Sequence, residues 1–311
     1  MENITIIGSG TMGHSIALSL AWGGLSAKVY CINNKAAKDA EQEVKKKLKT
    51  MTAHQVITDI DEESIFKYIQ FTTNLEDALS GTSFIIEAIT ENLNLKRKLF
   101  DDISGYLNED TVLASNTSGF LPSELSQNYK YPEQFAVAHF WNPAHLIPLV
   151  EIVPSVKTSE KTVQRIKILL EKINKKPIVL KKEITGFIGN RLQYAMFREA
   201  QYLLDNGYAD KEDIDASVTH SIGRRYPVTG PLMTADMGGL DVFSAISDYL
   251  FKELSSQEQS GETISNLVNQ GKFGIKNGEG FYEWNQEFSE RVNRERDRVL
   301  LNFLEQDKTG D

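Results

Sequence analysis

The sequence predicts an α/β protein in which a mostly parallel sheet is followed by a smaller, all-helical domain. Up to about residue 182, short β-branched runs alternate with helical patterns. Such alternation is typical of βαβ units whose sheet is covered on both faces. Strand-like runs are nearly absent afterwards. The chain has 311 residues, which at roughly 150 residues per domain indicates two domains.

Each predicted element has its own pattern. Strands are predicted where apolar, mostly β-branched residues occur together, and helices where apolar residues recur at helical spacing. The predicted strands are residues 4–7, 28–32, 83–88, 111–115, 134–139, 149–153 and 177–180. The predicted helices between them are residues 12–22, 36–51, 93–103 and 159–173.

The pattern changes after Lys182. We place a domain boundary near residues 183–186, which gives a nucleotide-binding domain at residues 1–183 and a helical domain at residues 184–311. A charged tail from about residue 286 to residue 311 allows one amphipathic helix within the second domain. The other predicted helical segments of this domain are residues 187–206, 211–221 and 240–254.

Composition and charge narrow the classes of function. With 34 Lys+Arg and 43 Asp+Glu, the formal net charge is −9. This balance argues against nucleic acid or an anionic membrane as a partner, because both need a basic face. The single Cys31 excludes an intrachain disulfide and a multi-cysteine metal site, and no histidines stand at metal-ligand spacing, so no metal is expected. The N-terminal segment does not resemble a signal peptide, and we expect a cytoplasmic protein.

The segment Gly8-Ser9-Gly10-Thr11-Met12-Gly13 follows the first predicted strand and opens the first helix. Gly8 permits the tight turn, Gly10 lets a pyrophosphate approach the main chain, and Gly13 allows the helix to pack closely on the strand. The pyrophosphate would then lie on the free N–H groups of the helix. The segment therefore predicts a dinucleotide site in a doubly wound sheet of the Rossmann type. The alternative is an ordinary strand–helix turn.

The position expected to contact the ribose holds an amide. An acidic residue is expected about 20 positions after the glycine segment, at the end of the second strand, and Asn33 stands there. Its amide oxygen can accept a ribose hydroxyl, but it does not repel a 2′-phosphate, and Lys35 and Lys38 nearby could attract one. NAD is therefore the expected cofactor, and NADP is left open.

A histidine and a glutamate interrupt two otherwise apolar strands. His139 ends one predicted strand, and Glu151 lies 12 positions later, inside the next. Asn142-Pro143 and Pro148 mark a connection between the two strands. If the strands are neighbours, the carboxylate can orient one imidazole nitrogen while the other faces a substrate, as general base catalysis requires. The alternative is an ordinary buried histidine, although a buried glutamate usually has a partner.

Together these motifs resemble the 3-hydroxyacyl-CoA dehydrogenase family. The resemblance runs from Ile4 to about Trp284, nearly the whole chain. Besides the glycine segment it includes EAITEN at residues 87–92, SNTS at 115–118, HFWNP at 139–143, LVE at 149–151, GFIGNR at 186–191, GPL at 230–232 with Asp236 and GLD at 239–241, and Gly271-Lys272 through GFY at 280–282.

The resemblance implies an NAD-dependent oxidation of an L-3-hydroxyacyl-CoA in fatty acid metabolism, with a short-chain substrate such as 3-hydroxybutyryl-CoA. It implies that His139 is the base that takes the 3-hydroxyl proton and that Glu151 orients it. It also implies a homodimer formed through the helical domain. The other implied roles are hydrogen bonds from Ser118 and Asn190 to the reacting oxygen, substrate positioning by Asn142, and cofactor contacts from Glu91, Lys96 and Ser118.

Two other interpretations stay open. Residues 144–148 are similar to relatives that oxidise free hydroxy acids, such as carnitine dehydrogenase and the lambda-crystallin/gulonate dehydrogenase branch. The second interpretation is a nucleotide-binding protein without catalytic activity. The argument against it is that the catalytic motif residues are intact, namely Ser118, His139, Glu151 and Asn190. The lysine-rich residues 45–49 resemble a helix that approaches CoA in family members, or they form an ordinary solvated face.

Overall fold

The computed structural model describes residues 2–57 and 61–309, and eight of its strands form a single sheet. The strands are β1 (Ile4–Ile7), β2 (Ala27–Tyr30), β3 (Ile69–Thr72), β4 (Phe84–Glu87), β5 (Val112–Ser115), β6 (Phe135–Phe140), β7 (Leu149–Pro154) and β8 (Lys176–Val179). Their order in the sheet is β3-β2-β1-β4-β5-β6-β7-β8. All neighbours are parallel except β6 and β7, which are antiparallel. The predicted mostly parallel sheet is confirmed.

Helices connect the strands and make up most of the remaining described chain. Those before and between the strands are α1 (Thr11–Trp22), α2 (Asn34–Ala53), α3 (Glu62–Phe66), α4 (Leu75–Leu79), α5 (Leu93–Ile103), α6 (Pro122–Leu125) and α7 (Glu160–Lys172). The later ones are α8 (Gly189–Asp205), α9 (Lys211–Ser217), α10 (Gly223–Arg225), α11 (Pro231–Gly238), α12 (Leu240–Leu250), α13 (Glu262–Asn269) and α14 (Gln286–Thr309). None of these described helices combines the length and apolarity that a membrane crossing needs.

Apolar side chains cover both faces of the sheet. Successive strand residues point to opposite faces, and accordingly Ile6 packs in one buried cluster while Ile7 packs in another. The first cluster contains Ile16 of α1, and the second contains Phe100 of α5. Helices therefore lie on both sides of the sheet, as expected for a doubly wound fold.

The chain forms two compact units. The first contains Met1–Asn190 and Arg294–Asp311, and the second contains the helical residues Arg191–Asn293. The expectation that the whole tail belongs to the helical domain needs correction, because Leu301 of α14 is buried in the core of the first unit. Leu300, Leu301 and Leu304 of α14 thus pack on the core of the first unit. The boundary near residue 183 stays a prediction.

Candidate active site

The glycine segment between β1 and α1 has the geometry that a dinucleotide requires. Gly8 has a φ of +109°, and a Cβ there would lie 2.5 Å from the carbonyl oxygen of Ala88. A Cβ on Gly13 would lie 1.9 Å from the carbonyl oxygen of Gly8, whereas a Cβ on Gly10 would have nothing within 4 Å. No side chain caps α1 at Gly10, so its first turn is left to bind a pyrophosphate. These residues fit the dinucleotide predicted from the sequence, with Thr11 and Met12 in the first turn.

Asn33 caps the helix that follows β2. Its Oδ1 accepts a hydrogen bond from the N–H of Ala36 at 2.8 Å, so one lone pair of the amide oxygen already stabilises the start of α2. The side chain is exposed, as are Lys35 and Lys38. A ribose hydroxyl bound here would share the oxygen with the helix cap.

Strands β6 and β7 bring His139 and Glu151 together. The antiparallel register places the two residues directly opposite each other, and His139 Nδ1 lies 2.8 Å from Glu151 Oε2. Both side chains are buried. The predicted pairing of these strands, and the contact between imidazole and carboxylate, are therefore confirmed. When Nδ1 donates to Glu151, Nε2 of the neutral ring is left as the proton acceptor.

Glu151 is surrounded by hydrogen-bond donors. Besides His139, its Oε2 faces the indole Nε1 of Trp141 at 3.3 Å, while Oε1 accepts the N–H groups of Ile188 at 2.9 Å and Gly189 at 3.0 Å. Burial would raise the pKa of Glu151, but the hydrogen bonds from His139, Gly189 and Ile188 outweigh it and hold this pKa below its ordinary value. The carboxylate is thus kept as an anion beside the imidazole.

The turn that supplies these N–H groups is built on unusual backbone angles. Gly186 has a φ of 75° and Phe187 a φ of 53°, a conformation that is unfavourable for a residue with a side chain. The Phe187 ring is fully buried, and its centroid lies 5.4 Å from that of His139. The Trp141 ring lies 5.3 Å from the same imidazole. Two aromatic rings therefore hold the imidazole in place.

Ser118 and Asn190 lie next to each other. Asn190 stands at the start of α8, and its Nδ2 donates to the carbonyl oxygen of Ser118 at 2.8 Å. Ser118 is exposed in the segment after β5. Asn142 is also exposed, just after Trp141. The structure thus groups Ser118 with Asn190 and His139 with Glu151.

Lys96 is enclosed by carboxylates. Its Nζ lies 2.6 Å from Glu87 Oε1 and 3.3 Å from Glu91 Oε2, and its side chain has no exposed surface. The other oxygen of Glu91 accepts the Thr117 hydroxyl at 2.5 Å and the Ser118 N–H at 2.9 Å. The expectation that Lys96 contacts the cofactor directly is therefore corrected, since this ammonium reaches the site through Glu91.

Three site features escaped the sequence analysis. The hydrogen-bond network around the predicted residues also includes the indole of Trp141, the N–H groups of Ile188 and Gly189, and the buried carboxylate of Glu87. Their segments, HFWNP, GFIGNR and EAITEN, were already conspicuous as motifs. Because the contacts join residues far apart in sequence, only the fold shows which atoms meet.

A second group of buried polar side chains lies in and around the loop between β6 and β7. His145 Nδ1 is 2.8 Å from the hydroxyl of Ser15, and burial, together with nearby cations such as Lys47 and Lys175, lowers the pKa of His145 to about 3. Lys175 Nζ donates to the carbonyl oxygens of Ala144 and Ile147. Burial lowers the pKa of Lys175 to about 7. These groups hold the loop that connects the two strands of the site.

Known proteins resemble this chain over nearly its whole length. The family model for the 3-hydroxyacyl-CoA dehydrogenase NAD binding domain matches residues 3–184, and that for the C-terminal domain matches residues 186–284. The 5-formyl-3-hydroxy-2-methylpyridine 4-carboxylate 5-dehydrogenase of Mesorhizobium japonicum is 35% identical over 301 residues, which are 97% of this chain and 96% of that protein.

Two solved structures are similar in fold. One is of a 5-formyl-3-hydroxy-2-methylpyridine 4-carboxylic acid 5-dehydrogenase, described as an NAD+ dependent dismutase, with a TM-score of 0.91, 34% identity, and coverage of 98% of this chain and 99% of that one. The other, an (S)-3-hydroxybutyryl-CoA dehydrogenase from Ralstonia eutropha, has a TM-score of 0.76, 32% identity, and coverage of 92% and 100%. With its glycine turn and two matching domain models, the chain belongs to the 3-hydroxyacyl-CoA dehydrogenase family of NAD-dependent oxidoreductases.

Proposed function

We propose that this chain oxidises a carbinol to a carbonyl with His139 as the general base. The observation that carries the proposal is the 2.8 Å contact between His139 Nδ1 and Glu151 Oε2, which leaves Nε2 free to take a proton. The substrate O–H bond breaks and its proton goes to Nε2, while the C–H bond breaks and its electron pair leaves with the hydrogen. Bound NAD supplies the hydride acceptor. Proton transfer of this kind contributes about 10²–10⁴-fold to the rate.

Glu151 stabilises the imidazolium that forms. Its carboxylate is already ionised and fixed by the N–H groups of Ile188 and Gly189, so it does not have to reorganise when His139 becomes charged. A charge that is positioned in advance, out of water, stabilises the developing cation more than a mobile one. Glu151 also fixes the ring orientation, because Nδ1 points at it.

The remaining site residues bind and orient. Ser118 and Asn190 hydrogen-bond the reacting oxygen, a role that their mutual contact at 2.8 Å supports, and Asn142 positions the substrate. Glu91, whose side chain is 43% exposed, contacts the cofactor. The other cofactor contacts are Gly8, Gly10, Thr11, Met12, Gly13, Asn33 and Ser118.

For the substrate, we favour a free hydroxy carboxylic acid over a CoA ester. The similar enzyme from Mesorhizobium japonicum is named for a pyridine carboxylate, and the fold of a protein with that activity superposes with a TM-score of 0.91. On α2, Lys45 pairs with Glu41 at 2.6 Å and Lys47 pairs with Glu43 at 3.3 Å. Two lysines of the segment that would approach CoA are thus engaged by carboxylates of their own helix.

A short-chain L-3-hydroxyacyl-CoA is the second candidate. The family models for both domains of 3-hydroxyacyl-CoA dehydrogenase favour it, together with the fold of the (S)-3-hydroxybutyryl-CoA dehydrogenase. On α2, Lys46 and Lys49 are exposed and have room to meet a phosphate. With this substrate the enzyme would serve fatty acid metabolism.

We also propose a homodimer formed through the helical unit. Large apolar side chains on α11 and α12 are exposed in the single chain, among them Leu232, Met237 and Leu240. Large apolar side chains exposed on two consecutive helices favour a protein contact there. A cytoplasmic location stays a prediction from the sequence.

The substrate class is tested by measuring the rate of NADH oxidation in the presence of each of three carbonyl compounds: acetoacetyl-CoA, a free 3-keto acid and a formylpyridine carboxylate. Each assay is repeated with NADPH. Faster turnover of a free acid supports the first candidate, and faster turnover of the thioester supports the second. A preference for NADPH would contradict the cofactor assignment and would point to the amide of Asn33.

The catalytic assignment is tested with His139→Ala. We expect turnover to fall by about 10²–10⁴-fold while NADH still binds, because the base is removed and the glycine turn is untouched. His54→Ala changes an exposed histidine and is the matched control. Unchanged turnover in His139→Ala would refute the proposed mechanism.

A further inference from the structure

Trp141 contacts the carboxylate oxygen that also binds the imidazole. Its indole Nε1 lies 3.3 Å from Glu151 Oε2, and the same oxygen lies 2.8 Å from His139 Nδ1. Two N–H donors therefore share one oxygen. The proposed mechanism gives the indole no role, although it contacts the general base's own partner.

The position of the indole is fixed by the turn before α8. A Cβ on Gly189 would lie 2.3 Å from Cζ2 of Trp141 and 3.1 Å from Cε2, so the indole packs directly on the glycine backbone. The N–H of this same Gly189 donates to the other oxygen of Glu151. The indole therefore rests on the turn that holds the carboxylate, and its N–H is directed at Oε2.

We propose that Trp141 is a positioning residue that sets how tightly the His139–Glu151 pair holds a proton. The inference rests on the proposed function of His139 as the base. A hydrogen bond donated to Oε2 withdraws electron density from the oxygen that faces Nδ1, and the carboxylate then stabilises the protonated imidazole less strongly. The indole would thus keep His139 from becoming too readily protonated to act as a base.

Apart from His139, the described hydrogen-bond donors to Glu151 are neutral N–H groups. From β6 the pair is faced by His139 itself, and from β7 by Glu151. The neighbouring strand β8 places the apolar Ile178 opposite Glu151, and the turn before α8 contributes N–H groups. Among the largest influences on the pKa of Glu151, His139 is the charged group. The N–H groups that donate to Glu151 therefore determine how strongly this carboxylate stabilises a protonated His139.

The test follows the titration of the His139 ring by NMR in the full-length protein with Trp141→Phe, which keeps an aromatic ring but lacks the N–H. The His139 signal is assigned by its absence in His139→Gln, since the chain has 5 histidines. We expect the midpoint to rise by about 0.5 to 1 pH unit, because hydrogen bonds to charged groups are among the stronger ones. The acid limb of the pH–rate profile for alcohol oxidation should move to higher pH by the same amount.

Two further variants separate the hydrogen bond from packing. Phe187→Leu removes the other aromatic ring beside His139 but leaves the indole N–H, so we expect no shift in the titration midpoint of His139. Site-specific replacement of Trp141 by benzothienylalanine, in which sulfur replaces the N–H, keeps the shape of the indole. It provides the same test if Trp141→Phe does not fold. It should reproduce the upward shift.

The outcomes distinguish this inference from the function on which it rests. A midpoint that is unchanged or lower in both Trp141 variants, in a protein whose turnover depends on His139, overturns the role of Trp141 alone. Turnover that does not depend on His139 overturns the proposed function, whatever the titration shows. An upward shift in both Trp141 variants, with none in Phe187→Leu, supports the inference.

Discussion

Replacing Lys96 with methionine tests what the enclosed ion pair contributes to stability. Lys96 Nζ and Glu87 Oε1 are 2.6 Å apart, and neither side chain has exposed surface. Removing one partner of such a pair costs about 3–5 kcal/mol, because the remaining charge is left uncompensated away from water. Glu87 keeps the N–H of Ile89 at 2.7 Å and the hydroxyl of Ser115 at 2.5 Å. We therefore expect the lower end of the range, about 3 kcal/mol.

The chain offers a matched control on the same helix. Lys98 of α5 pairs with Asp102 at 2.8 Å, but 69% of its side chain is exposed, and exposed ion pairs contribute little to stability. Lys98→Met should therefore leave the free energy of unfolding almost unchanged. The double variant Lys96→Met with Glu87→Gln removes both buried charges, and it should recover most of the loss.

The assay is urea unfolding followed by tryptophan fluorescence, combined with steady-state kinetics. Because Lys96 also pairs with Glu91, which accepts the N–H of Ser118, its loss should raise the KM for NADH as well. If Lys96→Met destabilises the protein no more than Lys98→Met, or if the double variant is less stable than the single one, the reasoning about the buried pair is refuted.

Gly13, His145 and Lys175 are further positions where a substitution has an expected effect. Gly13→Ala should weaken NADH binding and lower stability by about 1–3 kcal/mol, because its Cβ would lie 1.9 Å from a carbonyl oxygen. Calorimetric titration measures NADH binding. The control variant Gly10→Ala should fold normally, because a Cβ at Gly10 has nothing within 4 Å. The pKa of His145 is lowered to about 3, so folding stability should fall as the pH drops from about 6.5 toward 3, and His145→Gln should reduce that fall. The pKa of Lys175 is lowered to about 7, so stability should rise between about pH 7 and pH 10, and Lys175→Met should abolish the rise. Denaturant unfolding at several pH values checks both, and equal slopes in wild type and variants would contradict them.

The central part of the sheet and the His139–Glu151 pair could be predicted from sequence because their signals are local. Buried parallel strands form short apolar runs, and two polar residues within such runs are conspicuous. The antiparallel pairing of β6 and β7 follows from the short connection between them. Strand pairing then places His139 opposite Glu151.

Other features depend on tertiary contacts that no local pattern shows. Strand β3 at the sheet edge escaped prediction because only Ile69 of its residues is buried, so it lacks an apolar run. The burial of Lys96 was missed because a lysine on a helix usually faces solvent, and its partner Glu87 belongs to a strand. Sequence alone places the end of α14 in the helical domain, because amphipathic spacing shows that one face of a helix is covered but does not show which part of the chain covers it.

The return of α14 to the first unit has a consequence for biosynthesis. Leu301 is almost completely enclosed by the nucleotide-binding unit, with Leu300 and Leu304 packed beside it. While a ribosome is still making the intervening helices, that apolar surface stays open to water or to chaperones. Premature termination near residue 284 would therefore damage the half of the molecule translated first, although every residue of its glycine turn and catalytic pair had already been made.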